Sequence, residues 1–296
     1  MTIDIAQLIT DRIISELEKG ATPWVKPWKR LKGQPGEGMP FNPVSGTLYR
    51  GMNHIWLSMM QGAYPAPYWV TFKQAQAMGG MVKAGEKGTP VVYWNVNRKE
   101  TTGDNGEKVT SAYAFIKHYY VFNVAQCEGL DLSIEAQPEP IPASFDQSPA
   151  VMGLIDKLAL KGGLHHGGDS AFFRPSTDSI NMPPLAAFND AGQYHATLLH
   201  ESIHATGHDS RLKRLTPARF GSEEYAYEEL VAELGAAMLC AKLGIDGDLR
   251  HAGYIESWLK ALRNDKKFII SAAGKAQAAL DWLMPVSVDQ EESIAA

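Results

Sequence analysis

His200-Glu201-Ser202-Ile203-His204 spaces two histidines four residues apart with a glutamate directly after the first. On a helix, residues four apart differ by only about 40° in direction, so both imidazoles can face one metal ion. Glu201 stands beside them, where its carboxylate can accept a proton from water rather than ligate. Leu198 and Leu199 just before the motif suit a buried helix. The chemistry expected of such a set is acyl hydrolysis. The ion polarises a carbonyl and draws the pKa of water towards neutrality, and Glu201 serves as general base. Zinc is the first expectation for the ion, with manganese as the alternative.

A catalytic site of this kind normally takes three protein ligands. In the longer pattern H-E-x-x-H-x-x-G-x-x-H, Gly207 falls in place but Ser210 stands where the last histidine belongs. His208 follows a glycine that can break the helix. Glu229 in YEELVAEL is the better third ligand, because a second helix can approach the ion from the open side. Glu233, four residues on, shares its face and can hold a ligand histidine from behind. Glu228 points about 100° away and reads as a solvated acid. Tyr225, Tyr227 and His208 are all candidates to stabilise an oxyanion. His165-His166 is an adjacent pair that rarely faces one ion, and it reads as a loop.

These residues need helices to carry them. Asp190 can cap the motif helix and Gly207 end it; Ser222 with Glu223 and Glu224 can open the next, which Gly244 ends. Ser148-Pro149 opens a helix running to about residue 161. AFFRPSTDSINMP reads as two short strands around a turn, and two further helices are expected near 250–264 and 270–283. At the other end, Asp4 caps a helix with Ile5, Leu8, Ile9, Ile13 and Leu17 on one face, stopped by Gly20. Residues 20–130 are strand-rich, with PVVYWNVNRKE and VTSAYAFIKHYYVFNV forming a hairpin about a polar loop. Residues 131–149, rich in proline and acids, read as a linker. The tail after Pro285 reads as frayed.

The two parts differ in charge. Residues 1–130 hold 14 Lys and Arg against 10 Asp and Glu, and residues 131–296 hold 14 against 23. Trp24 and Trp28 lie among Lys26, Lys29 and Arg30, followed by Tyr49, Arg50 and Asn53, then Trp69, Lys73, Lys83 and Lys87. Aromatic faces alternating with cations suit single-stranded nucleic acid, whose bases stack while its phosphates are neutralised. Only Cys127 and Cys240 are present, which points to a reducing cytoplasm. No apolar run of about 18 residues occurs, so a membrane span is not expected.

These motifs together resemble a known pair of modules. ATPWVKPW, FNPVSGTLYRGMNHIWL, YWVTFKQAQAMGGMVKAGEKGTPVVYW and YYVFNVAQCEGL resemble the N-terminal domain of ArdC-type antirestriction proteins. DSINMPPLAAF, YHATLLHESIHATGHDSRLKR and YAYEELVAELGAAML resemble the polyvalent-protein metallopeptidase domain that accompanies it. The resemblance implies single-stranded DNA binding by the first module and a zincin-like fold in the second. It also implies protection of incoming plasmid DNA from host restriction during conjugation. It supports the ligand roles of His200, His204 and Glu229 with Glu201 as base, and implies that Ser179–Met182 is an edge strand receiving an extended peptide.

The expected fold class is therefore α+β: a mixed DNA-binding domain over 1–130, a linker over 131–149, and a mostly helical zincin-like domain with a short sheet over 150–296. The leading functional expectation is an antirestriction protein that binds single-stranded DNA and carries a peptidase-like site, with a restriction-system component as a candidate protein substrate. The alternative is a DNA-masking or partner-binding protein whose metal site is structural or vestigial. A metal-dependent nuclease fits poorly, since two histidines and a helical glutamate base suit acyl hydrolysis better.

Overall fold

A computed structural model describes residues 4–21, 23–24, 39–61, 64–102, 108–130, 149–219, 221–245 and 254–285. The expected linker, apart from Pro149, and the tail after Pro285 lie outside the described residues.

Helix α1 (Ile5–Glu18) starts where the Asp4 side chain accepts from the Gln7 N–H, and it buries Ile5, Ile9, Ile13 and Leu17. Leu8, expected on that face, is turned outward. Strands β1 (Phe41–Asn42) and β2 (Thr47–Leu48) form a small antiparallel pair ahead of α2 (Gly51–Gln61). Next come β3 (Trp69–Thr71), α3 (Phe72–Ala77) and β4 (Met81–Val82). Thr71 and Gln74 open α3 with a reciprocal capping box. The expected hairpin is present as β5 (Thr89–Thr102) and β6 (Lys108–Asn123), with β3 on the far side of β6. Strand β7 (Cys127–Glu128) pairs with β4.

In the second half, α4 (Pro149–Leu158) begins on its proline. Strands β8 (Gly163–His166), β9 (Phe172–Arg174) and β10 (Ser179–Met182) form one sheet in the order β8-β10-β9. Two expectations change here. His165 and His166 lie in a strand rather than a loop, and Ser179–Met182 is the central strand rather than the edge. The reason is β8, which pairs parallel with β10 and covers one flank, leaving β9 as the edge next to the helices. Helices α5 (Ala191–Thr206), α6 (Glu223–Leu243), α7 (Ile255–Asn264) and α8 (Phe268–Leu283) complete the fold. Asp190 and Ser222 cap α5 and α6 as expected, and Gly244 ends α6 in the left-handed region.

The fold is thus a mixed helix-and-sheet structure with a helical second half. Its apolar core runs through both halves: Ile9, Trp56 and Val91 belong to the same buried cluster as Leu199, Leu234 and Ile269. Helix α1 lies against α7 and α2 against α8. Polar contacts fasten the seam. Thr10 Oγ1 donates to the Lys266 carbonyl at 2.9 Å, the Gly51 N–H donates to Gln277 Oε1 at 2.8 Å, and Arg50 pairs with Asp281 at 2.5 Å. No helix among the described residues is long and apolar enough to cross a membrane.

Candidate metal centre

Two buried helices carry the motif side chains. Helix α5 can be buried because its polar side chains bond to its own backbone: Ser202 Oγ donates to the Leu198 carbonyl at 2.7 Å and Thr206 Oγ1 to Ile203 at 2.6 Å. Helix α6 packs directly on it at Gly235, where a Cβ would come within 2.8 Å of Ile203 Cδ1. That close approach sets the distance between the acids of α6 and the histidines of α5.

At this crossing, His200 Nε2 and His204 Nε2 lie 3.2 Å apart. Glu229 faces both, with Oε2 3.6 Å from His200 Nε2 and Oε1 3.5 Å from His204 Nε2. One ligand atom from each of the three lies within 4.8 Å of the others. Two nitrogens bound to one tetrahedral ion at about 2.0–2.1 Å stand about 3.3 Å apart, so this donor set fits a divalent metal.

The rear of each imidazole faces a carboxylate. His200 Nδ1 lies 3.9 Å from Glu233 Oε1, and His204 Nδ1 lies 3.2 Å from Glu228 Oε1. Glu228 is therefore not a solvated acid. Arg214 holds it in two-pronged fashion, Nε to Oε2 at 2.9 Å and Nη2 to Oε1 at 2.7 Å. Arg214 also donates to the Ile203 carbonyl and to Thr206 Oγ1, tying the segment after α5 back to that helix.

Electrostatics follow from this crowding. Burial would push the His204 imidazole down, but the Glu228 hydrogen bond and the charges of Glu229 and Glu201 hold it up at about 9. Burial would likewise raise Glu229, yet the His200 hydrogen bond and the neighbouring imidazoles bring it down to about 2. Glu228 is depressed below its ordinary value because Arg214 and His204 outweigh its burial.

Glu201 Oε2 accepts the backbone N–H of Phe173 in β9 at 2.8 Å, so the candidate base is tethered to the sheet edge. A cleft of about 1050 Å³ opens over these groups, lined on one side by Phe172 and Phe173 and on the other by Tyr225 and Tyr254. The Tyr225 and Tyr254 hydroxyls lie 3.1 Å apart. Burial and the Tyr254 contact push the Tyr225 phenol far up, so it stays a proton donor. Tyr227 reaches the cleft wall, but its hydroxyl meets Ser271 Oγ at 2.7 Å and its ring rests on Phe268. His208 is engaged with Ser210 at 2.8 Å. Sequence reasoning passed over Tyr254, which sits outside the motif helices and carries no spacing signal.

The expected DNA-contact residues divide. Trp24 is 1% exposed and edge-on to Trp258 at 5.6 Å, and Trp69 is fully buried against Tyr64. Tyr49 is buried, its hydroxyl donating to the Trp69 carbonyl at 3.2 Å. These three rings are core residues and offer no face to a base, because the large apolar area of an indole or phenol is spent inside. Arg50 is taken by Asp281, and Asn53 exchanges two hydrogen bonds with the Val92 backbone. Lys73, Lys83 and Lys87 are exposed. Lys26, Trp28, Lys29 and Arg30 lie outside the described residues.

Known proteins match this arrangement. Residues 3–122 match the N-terminal domain of anti-restriction factor ArdC, and residues 155–275 match the zincin-like metallopeptidases. The crystal structure of the antirestriction ArdC protein from the R388 plasmid, metal-free, is 37% identical with a TM-score of 0.76 and covers 99% of each chain. Its Mn(II)-bound structure is 35% identical, with a TM-score of 0.75 and 98% of each chain covered. The uncharacterized protein y4eC of Sinorhizobium fredii is 36% identical over 98% of this chain and 94% of its own. The DNA primase TraC of Escherichia coli is 41% identical over 93% of this chain, which spans 26% of that longer protein. On full-length identity, shared architecture and both matched modules, the chain belongs to the ArdC family of antirestriction proteins.

Proposed function

We propose that this protein binds single-stranded DNA and shields incoming plasmid DNA from host restriction during conjugation, in the cytoplasm, with His200, His204 and Glu229 holding a divalent metal for peptide hydrolysis. The observation that carries the catalytic part is the placement of Glu201: beside the three donors, in an open cleft, and hydrogen-bonded to the outward edge of β9. A zinc or manganese ion held there would supply Lewis-acid polarisation of a carbonyl.

The chain's own groups supply the rest. On the outward edge of β9 (Phe172–Arg174) the Phe173 N–H is taken by Glu201, so an extended peptide lying across the cleft as an added strand would bond there to the Phe173 carbonyl. Glu201 accepts the proton of the attacking water and passes it to the leaving amine. Tyr225, kept protonated, donates to the charge that develops on the carbonyl oxygen, with Tyr254 orienting its hydroxyl. Glu228 and Glu233 hold the two imidazoles in place from behind. A restriction-system component bound to DNA is the substrate class that joins the two halves into one activity.

The test compares wild type with Glu201→Ala for metal content and for protection in a conjugation assay. Metal retained with protection lost supports hydrolysis. Protection that persists makes hydrolysis dispensable, and masking of the DNA then accounts for the function.

A further inference from the structure

Trp24, Trp56 and Trp69 are interior, which moves the question of where a single strand would stack to the rings that remain outside. The hairpin carries them. Side chains alternate along β6, so His118, Tyr120 and Phe122 stand on one face and Lys117 and Tyr119 on the other. On the first face, the His118 and Tyr120 rings lie 5.7 Å apart, and Phe122 meets Phe72, at the start of α3, at 6.5 Å. Tyr120 is 40% exposed and Phe72 48%, while His118 and Phe122 are half-buried, Phe122 resting on the small core cluster around Val70.

The surrounding charge fits a polyanion. Lys73 follows Phe72 directly, and Lys87 precedes Gly88; both are exposed. Gly88 lies tight against the row: a Cβ there would meet Tyr120 Cβ at 2.9 Å and Phe122 Cζ at 3.0 Å. Lys87, one residue before Gly88, is thereby held beside the aromatic edge, while Lys83 Nζ donates to the Ala125 carbonyl at 2.9 Å. The nearby Glu86 carboxylate, the opposing charge in this loop, accepts from Gln126 Nε2 at 2.8 Å.

We infer that Phe72, His118, Tyr120 and Phe122, bordered by Lys73 and Lys87, form the platform on which single-stranded DNA stacks. This rests on the proposed DNA binding and names the surface that performs it. Bases have π-faces of any sequence, so a ring row of this kind holds a strand without reading it, while the ammonium groups follow the phosphates. The opposite face carries one exposed pair among its described rings, Tyr93 and Tyr119 at 5.8 Å, because Trp69 on that face is fully buried.

The experiment is fluorescence anisotropy of the full-length protein with a labelled oligodeoxythymidine across a salt series. Tyr120→Ala and Phe72→Ala should each weaken binding at least about fivefold. Tyr120→Phe, which keeps the ring, should restore most of the affinity. Replacing Lys73 and Lys87 with Gln should lower the slope of log affinity against log salt by about 0.7 each. Tyr93→Ala, on the other face, should bind as wild type. Photo-crosslinking of a bromodeoxyuridine oligonucleotide to the unaltered protein should label peptides containing Phe72 or Tyr120. If wild type binds no single strand, the DNA reading itself falls. If wild type binds and the Tyr120 and Phe72 variants match it, or the loss follows Tyr93 instead, the platform is misplaced while DNA binding stands.

Discussion

His204 and Glu228 meet across the contact between α5 and α6, Nδ1 to Oε1 at 3.2 Å, and Arg214 grips the same carboxylate from its other side. The imidazole is fixed in rotation by a group that is itself fixed, so its Nε2 is aimed at the donor set before any ion arrives. A carboxylate behind a ligand histidine also raises the basicity of the ring. The long side chain of Arg214 makes this a property of the segment following α5 as much as of the helices.

Glu228→Ala should lower affinity for zinc or manganese about 10–100-fold, measured by calorimetric titration. It should also lower the melting temperature of the metal-free protein, because the largely buried Arg214 guanidinium loses its partner. Unchanged metal affinity would show that the contact does not orient His204.

The His204 imidazole at about 9 gives metal uptake a definite pH dependence. The ring is protonated below that value in the metal-free protein, and ligation needs it neutral. Log affinity should therefore rise by about one per pH unit between roughly 6.5 and 9 and then flatten, with proton release seen in buffers of different ionisation enthalpy. The raised pKa stabilises the metal-free fold fully below 6.5 and is lost as pH climbs through 9. Its melting temperature should fall across that window while metal binding strengthens.

Trp24→Ala removes a buried ring from against Trp258. It should destabilise the protein by about 3–5 kcal/mol in urea unfolding. Its folded fraction should bind a single strand with wild-type affinity, a combination that an indole stacked on bases would not give.

Gly235→Ala places a methyl against Ile203 at a separation no relaxed pair tolerates. A cost of about 1–3 kcal/mol is expected. Because Ile203 lies next to His204 on α5, metal affinity should drop as well. Gly153→Ala, where a Cβ meets nothing within 4 Å, is the matched control and should leave affinity unchanged.

Much of the centre was legible because helical geometry is strict: four residues bring His200 and His204 together, and α6 carries Glu229 and Glu233 on one stripe. The same strictness misled at Glu228. Its direction on α6 is indeed about 100° from Glu229, but that direction is also where His204, one turn beyond His200, and Arg214 happen to lie. A helical wheel contains no neighbour. The β10 placement failed for a similar reason, since only the parallel pairing with β8 makes Ser179–Met182 central, and a pairing between separate segments leaves no local mark. Trp24 and Trp69 were ambiguous in kind: an indole beside lysines suits a base or a core equally, and burial decided for the core.

The apolar cluster that joins Ile9 and Trp56 to Leu234 and Ile269 bears on how such a molecule can be handed on. Cutting the chain near residue 130 would strip α1 from α7 and α2 from α8, leaving each fragment with an oily wound and the ion pair between Arg50 and Asp281 torn in half. Neither fragment would be expected to survive alone in a cell that degrades unfolded chains. A genetic exchange that leaves the protein folded would then have to carry both halves together.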